Sequence, residues 1–149
     1  MPTYSINIAM PQGLLFSGEV TSCTATGLNG KFQVLHNHAP MLSIIDVGEL
    51  KLEHPDGKRE YIATSNGFLE INKNQLSIIV ESAEWAGEID LDRANAAKDR
   101  AEKRLIEKES IDLARAKASL MRAINRIKIA TRSWGFKHIL FNMPYVFDF

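Results

Sequence analysis

Glu88-Ile89-Asp90-Leu91-Asp92-Arg93-Ala94-Asn95-Ala96-Ala97-Lys98-Asp99-Arg100-Ala101-Glu102-Lys103-Arg104-Leu105 is the stretch where the chain changes character. Before it, apolar residues alternate and turn residues recur, as in a β domain; after it the pattern is helical as far as Arg132. Asp90 suits a helix N-cap, and Asp92 puts negative charge in the first turn, at the positive end of the helix dipole. Arg93 and Arg100, seven residues apart, fall on nearly the same side of that helix.

Towards the N-terminus, Tyr4, Ile6 and Ile8 share one face of a half-buried strand over 3–9, and Pro11-Gln12-Gly13 turns the chain back to Leu14–Phe16. Glu19–Thr26 is a further β-rich stretch, with Val20, Ser22, Thr24 and Thr26 on one parity and Cys23 expected to be half-buried. Gly27-Leu28-Asn29-Gly30 is a loop before the apolar run Phe32–Leu35, and Ser43-Ile44-Ile45 is another short strand. Pro55-Asp56-Gly57 joins Gly48–His54 to Arg59–Thr64: proline fixes φ, aspartate caps the turn, and glycine accepts positive φ. A second hairpin links Phe68–Ile71 to Leu76–Val80 through 72–75. Short strands punctuated by turns predict a sandwich or barrel.

Towards the C-terminus, Leu91, Ala94, Ala97, Ala101 and Leu105 form a narrow apolar stripe. Glu107–Ser110 interrupts it, with Ser110 a candidate N-cap for a second helix carrying Leu113, Ala116, Leu120, Ala123, Ile124, Ile127 and Ala130. Two helices with a short break predict an antiparallel hairpin, and its alanine seam predicts a loosely held one. Residues 133–149 are aromatic and apolar, broken by Gly135 and Pro144, and read either as an added docking segment or as a stretch foreign to the native chain.

Composition narrows the function. Lys+Arg and Asp+Glu balance at 18 each, yet residues 1–88 carry roughly five excess acids and 89–149 roughly five excess bases, so the helical half suits either an anionic partner or a solvated charged face. Cys23 is the only cysteine, which excludes an internal disulfide and a cysteine-rich metal site. No basic region followed by an apolar core opens the chain, and no run approaches the ~18 apolar residues of a membrane span. His36-Asn37-His38 offers two metal ligands without a third nearby, so no metal site is expected. The sequence has no Gly-rich phosphate loop or nucleophile elbow, and no paired-carboxylate site on the β half, so no catalysis is expected.

The hairpin itself makes one constellation. With its turn near Ser110, residues whose numbers sum to about 220 lie level. Arg93 then faces the neighbourhood of Arg126, and Arg100 that of Arg122. Four guanidinium groups along one groove repel one another unless an anion intervenes, and their planar forks match phosphate. Asp90 stands at the groove's end. The competing reading is a solvated face on which Asp99, Glu102 and Asp112 neutralise the arginines.

Over roughly residues 3–131 the sequence resembles the epsilon subunit of bacterial F-type ATP synthases. The resemblance lies in Pro11-x-Gly13-x-x-Phe16-x-Gly18-x-Val20, Gly27-x-x-Gly30, His38-Ala39-Pro40, Gly48 and Gly67-Phe68-Leu69-Glu70-Ile71, then Ile89-Asp90-x-x-Arg93-Ala94, Arg100-Ala101-Glu102-x-Arg104-Leu105 and Arg122-Ala123-x-Asn125-Arg126. It implies an α+β chain: a flattened antiparallel β-sandwich over 1–87 and an antiparallel two-helix hairpin over 88–132; the atypical tail over 133–149 has no counterpart in the family. It implies a non-catalytic place in the rotating central stalk of a proton- or sodium-translocating complex, peripheral on the cytoplasmic face of the bacterial membrane. The sandwich would grip the gamma subunit and rest on the polar loops of the c-ring. The helices would extend to inhibit ATP hydrolysis, with Arg115, Arg122, Arg126 and Lys128 meeting an acidic segment of the beta subunit. No cofactor is required; ATP is implied as a regulatory ligand of the folded hairpin, at Glu84, Ile89, Asp90, Arg93, Arg100, Arg122 and Arg126. The alternative is a rotor brace without nucleotide sensing. Departures from the family pattern are His36 in place of proline, Gln33 in place of glycine, Lys31 in an often acidic loop, and Ser65-Asn66 before Gly67.

Overall fold

Alternation in the N-terminal strands is resolved into a folded sheet of ten strands. In the computed structural model, which describes residues 1–107 and 112–141 with side chains through 131, the chain divides into two compact units, Met1–Trp85 and Ala86–Phe149. The first holds β1 (Tyr4–Met10), β2 (Gly13–Val20), β3 (Ser22–Gly27), β4 (Gly30–Leu35), β5 (Met41–Ile45), β6 (Gly48–Glu53), β7 (Arg59–Thr64), β8 (Gly67–Asn72), β9 (Gln75–Val80) and β10 (Ala83–Trp85). Strand order is β10-β7-β6-β3-β5-β8-β9-β1-β2, with β4 also on β3. β3 and β5 share the single pair Gly27↔Ile45, and the sheet folds over at that corner into two layers. Across the opposite seam Ala83 N donates to Met10 Sδ at 3.1 Å and the Phe16 and Trp85 rings meet edge-on at 5.8 Å, making the sandwich a near-barrel.

The core is aliphatic. Tyr4, Ile6 and Ile8 are buried as their alternation predicts, and they pack with Val20, Val34, Ile45, Leu50, Leu52, Ile62, Leu69, Ile71, Leu76 and Ile78. Each such side chain contributes about 1.5–3 kcal/mol by leaving water. Tyr4 keeps its polar end satisfied by donating its hydroxyl to Val34 O at 2.6 Å. All pairings are antiparallel except β1 with β9, two strands too far apart in sequence to be constrained by a hairpin turn.

Turn chemistry sets the register. Gly57 has φ 86, Asp56 Oδ1 accepts from Lys58 N at 2.9 Å, and the β6–β7 hairpin closes as its residues require. Lys73 and Asn74, with φ 48 and 59, make the β8–β9 turn of the kind that matches strand twist. Asn74 also locks onto the loop after β4, accepting from Asn37 N at 2.7 Å and donating to Asn37 Oδ1 at 3.0 Å. At Gly67 a Cβ would collide with the Ile79 carbonyl oxygen and lie 2.7 Å from Val80 Cα, so only glycine fits between β8 and β9.

Four details differ from expectation here. Cys23 is fully buried, because Cys23 and Ala25 form the inward parity of β3, away from Ser22, Thr24 and Thr26. The run Glu19–Thr26 is two strands, broken at Thr21, whose N and Oγ1 both donate to Glu53 O. Ala83–Trp85 pairs with Thr64–Ile62 as an extra edge strand. A 3-10 turn, Ala86–Glu88, opens the second unit.

In that unit α1 spans Leu91–Glu107 and α2 spans Leu113–Phe141. Asp90 caps α1 as expected, its Oδ1 accepting from Arg93 N at 3.1 Å. The cap of α2 is Asp112, whose Oδ1 accepts from Ala114 N at 3.1 Å and Arg115 N at 3.2 Å; Ser110 lies outside the described residues. An aspartate carboxylate is the stronger acceptor there, and it adds charge at the dipole's positive end. α2 also runs past Arg132 and through Gly135, an interior glycine costing only about 1 kcal/mol; Pro144 lies outside the described residues. The two helices pack together, and a connection as short as 108–112 makes them antiparallel.

The seam is small. Among the described side chains its buried residues are Ala94 and Ala101 on α1 and Ala116, Ala123, Ile129 and Ala130 on α2. Leu91, Ala97, Leu105, Leu120 and Ile127 are half-buried, whereas Leu113 and Ile124 are exposed. Ile129 is the buried aliphatic that the helical stripe missed, since the seam follows Ala116-Ala123-Ala130 and drifts past Leu113 and Ile124.

Candidate functional site

The α1 face beside the seam begins at Asp90, an exposed N-cap, with Ile89 half-buried just before it. Arg93 and Arg100 follow, both exposed, two turns apart on one side of the helix. The acids of α1 are Asp92, Asp99, Glu102 and Glu107, of which Glu102 Oε1 is 3.8 Å from Lys98 Nζ.

On α2, Arg115, Ser119, Arg122 and Arg126 are spaced at i, i+4, i+7 and i+11 and so form one ridge. Arg122 and Arg126 are half-buried, and Arg122 Nη2 donates to Ser119 Oγ at 3.2 Å. From Leu113 to Phe141 the helix sequence contains no acid. The ridge is therefore cationic, and its own helix offers no carboxylate to neutralise it.

Helical rise relates the two faces. With the connection centred near residue 110, Ala101 falls between Ala116 and Ala123, and Ala94 between Ala123 and Ala130, so the buried alanines interdigitate. The same geometry sets Arg100 level with about residue 120 and Arg93 with about residue 127. Six of the residues singled out from sequence thus belong to the helical unit. Glu84 does not: it is half-buried on β10 of the sandwich unit, paired with Ala63. Ser119 had no sequence signal beyond lying three residues before an arginine.

The sandwich carries a second feature that alternation alone did not expose. Ile44, Phe68, Ile79, Ala9 and Leu14 lie opposite one another across β5, β8, β9, β1 and β2, with Leu42 beside them. The large members are 49–71% exposed. Five neighbouring strands at about 4.8 Å spacing make this an apolar row about 19 Å long. The outer face of the other layer is polar, with Gln33, Thr24, Lys51 and Tyr61 in register across β4, β3, β6 and β7. At the β3–β4 end, Lys31 Nζ lies 3.7 Å from Glu49 Oε1.

His36 and His38 do not share a ligand. His36 Nε2 is 3.4 Å from Asn74 Nδ2, and His38 Nδ1 is 2.7 Å from Ala39 O. Among the described residues no three His, Cys, Asp or Glu side chains gather as a metal site would need. Burial pushes the Cys23 thiol up to about 12, so it is un-ionised and inert at neutral pH.

Two family models cover nearly all of the first unit and residues 88–131 of the second. Residues 3–86 match the beta-sandwich domain of the ATP synthase delta/epsilon chain, and residues 88–131 match its long alpha-helix domain. The chain belongs to the epsilon-chain family of ATP synthases. The ATP synthase epsilon chain of Desulfitobacterium hafniense (strain Y51) is 43% identical over 128 residues, covering 86% of this chain and 96% of that one. The ATP synthase epsilon chain of an Exiguobacterium species is 41% identical over 131 residues, covering 87% and 96%. In fold, the chain is similar to one in the Euglena gracilis mitochondrial ATP synthase, with a TM-score of 0.68, 20% identity and coverage of 85% and 79%. An epsilon chain is a non-catalytic subunit of ATP synthase. Among the described residues no helix is long and apolar enough to cross a membrane.

Proposed function

We propose that the chain couples the rotor to the catalytic head of a proton- or sodium-driven ATP synthase and that its helical unit is an ATP-responsive brake. The observation that carries this reading is a hairpin closed by alanines and flanked by arginines. A buried methyl group contributes about 0.8 kcal/mol, so the seam's alanines supply only a few kcal/mol. A ligand at one hundred times its Kd, bound only by the folded form, adds about 2.7 kcal/mol. The two quantities are comparable, and ATP held by Asp90, Arg93, Arg100, Arg122 and Arg126, with Ile89 beside it, therefore tips the balance towards the folded hairpin.

The sandwich supplies the attachment. Its apolar row suits the gamma subunit, since a contiguous exposed apolar patch marks a protein contact. The β3–β4 end, with Lys31, faces the polar loops of the c-ring, which makes the chain peripheral on the cytoplasmic face of the membrane. When ATP is scarce the helices extend, and Arg115, Arg122, Arg126 and Lys128 meet an acidic segment of the beta subunit, holding hydrolysis in check.

Calorimetric titration with ATP and ADP, with and without magnesium, tests the proposal. Saturable one-to-one binding that prefers ATP, lost in the Arg93→Ala/Arg126→Ala double variant with the sandwich still folded, is the expected result. Silence at millimolar ATP, backed by equilibrium dialysis, would leave a mechanical brace without nucleotide sensing.

A further inference from the structure

We infer that Ser119 is a positioning residue that presents the Arg122 guanidinium to the phosphates of the bound nucleotide. The inference rests on the nucleotide reading of the hairpin given above. Ser119 lies one turn before Arg122 on the same ridge, both are half-buried, and Arg122 Nη2 donates to Ser119 Oγ at 3.2 Å. A free arginine samples many rotamers, and ordering it on binding costs affinity. One nitrogen tied to a neighbour in its own helix removes much of that freedom beforehand, while the rest of the planar fork stays available for a bidentate contact.

The partner's identity matters as much as its place. A carboxylate at residue 119 would hold the guanidinium as firmly but would neutralise it and compete with the incoming anion. The hydroxyl is neutral, so Arg122 is oriented with its charge intact. The same requirement fits a helix that carries Arg115, Lys117, Arg122, Arg126 and Lys128 without one acid.

The test is titration of the full chain with ATP in Ser119→Ala, Ser119→Thr, Arg122→Ala and Ser119→Ala/Arg122→Ala variants, with thermal melts alongside. Alanine is the better helix former, so Ser119→Ala leaves the hairpin folded and any loss of binding is not loss of structure. The expected result is a Kd raised about three- to tenfold in Ser119→Ala, the equivalent of ordering one side chain. Ser119→Thr, which keeps the hydroxyl, restores binding to within about twofold of the parent. In the Arg122→Ala background the serine change has no further effect, since the two act as one unit. Unchanged affinity in Ser119→Ala, with Arg122→Ala still weakened, would overturn the positioning role while leaving the nucleotide site in place. A parent chain that does not bind ATP would overturn both.

Discussion

In the sandwich the core positions are filled mostly by isoleucine, leucine and valine, whereas the described buried positions of the hairpin are filled almost wholly by alanine. Both units have helix caps or turns of sound local chemistry. They differ in how much surface each residue removes from water, and hence in how far a bound molecule can change them. A unit held by tens of kcal/mol of aliphatic burial is a platform. A unit held by alanine methyls, one buried isoleucine and a few half-buried aliphatics can be opened by a partner or closed by a ligand.

The contrast is most easily broken in the core. Ile78→Ala, at the fully buried centre of β9, is expected to cost about 2–5 kcal/mol in urea unfolding, the cost of a transfer term plus a cavity. The sandwich midpoint falls, and the helical unit shows no parallel loss. The reverse experiment overfills the seam. Ala101→Leu is expected to destabilise the hairpin by about 1–3 kcal/mol, because its alanines allow close approach only while they stay small. Hydrogen exchange in 91–107 and 113–131 speeds up, with the sandwich strands unchanged. Asp112→Ala, which removes the carboxylate accepting from Ala114 N and Arg115 N, is expected to cost about 1 kcal/mol and to lower helical ellipticity without shifting the β signal.

The smallest effect is a titration at the end of the β6–β7 hairpin. Burial opposes ionisation of Glu60, but hydrogen bonds from Lys58 at 2.8 Å and His54 at 3.0 Å outweigh it and hold the carboxyl below its ordinary value of 4.5. With a lowered folded-state value, its contribution is present above about pH 4.5 and is lost as pH falls through the folded value. Glu60 is half-buried but its partner Lys58 is exposed, so solvent screening keeps the effect to about a few tenths of a kcal/mol. Acid unfolding curves of Glu60→Gln should lack that component.

Much of this was legible in the residues. The alternation of Tyr4, Ile6 and Ile8, the chemistry of Pro55-Asp56-Gly57 and the Asp90 cap each state a local structure through local physics. So does the seven-residue spacing of Arg93 and Arg100. What was not legible depends on a third element. The inward parity of β3 is decided by which layer covers Cys23, because threonine and cysteine suit either face. The break at Thr21 depends on Glu53 O receiving both its donors. Ile44, Phe68, Ile79 and Leu14 become a row only once four strand pairings fix their register. The Ser119–Arg122 contact is a rotamer choice that spacing allows without requiring.

The central claim is that ATP closes a weakly held hairpin, and hydrogen exchange of the full chain with and without saturating ATP tests it most directly. The account expects the amides of α1 and of α2 through Thr131 to slow in concert on adding ATP, by up to about a hundredfold at one hundred times Kd, while β1, β8 and β9 do not change. Helical amides that exchange at the same rate with saturating ATP as without it would contradict the account.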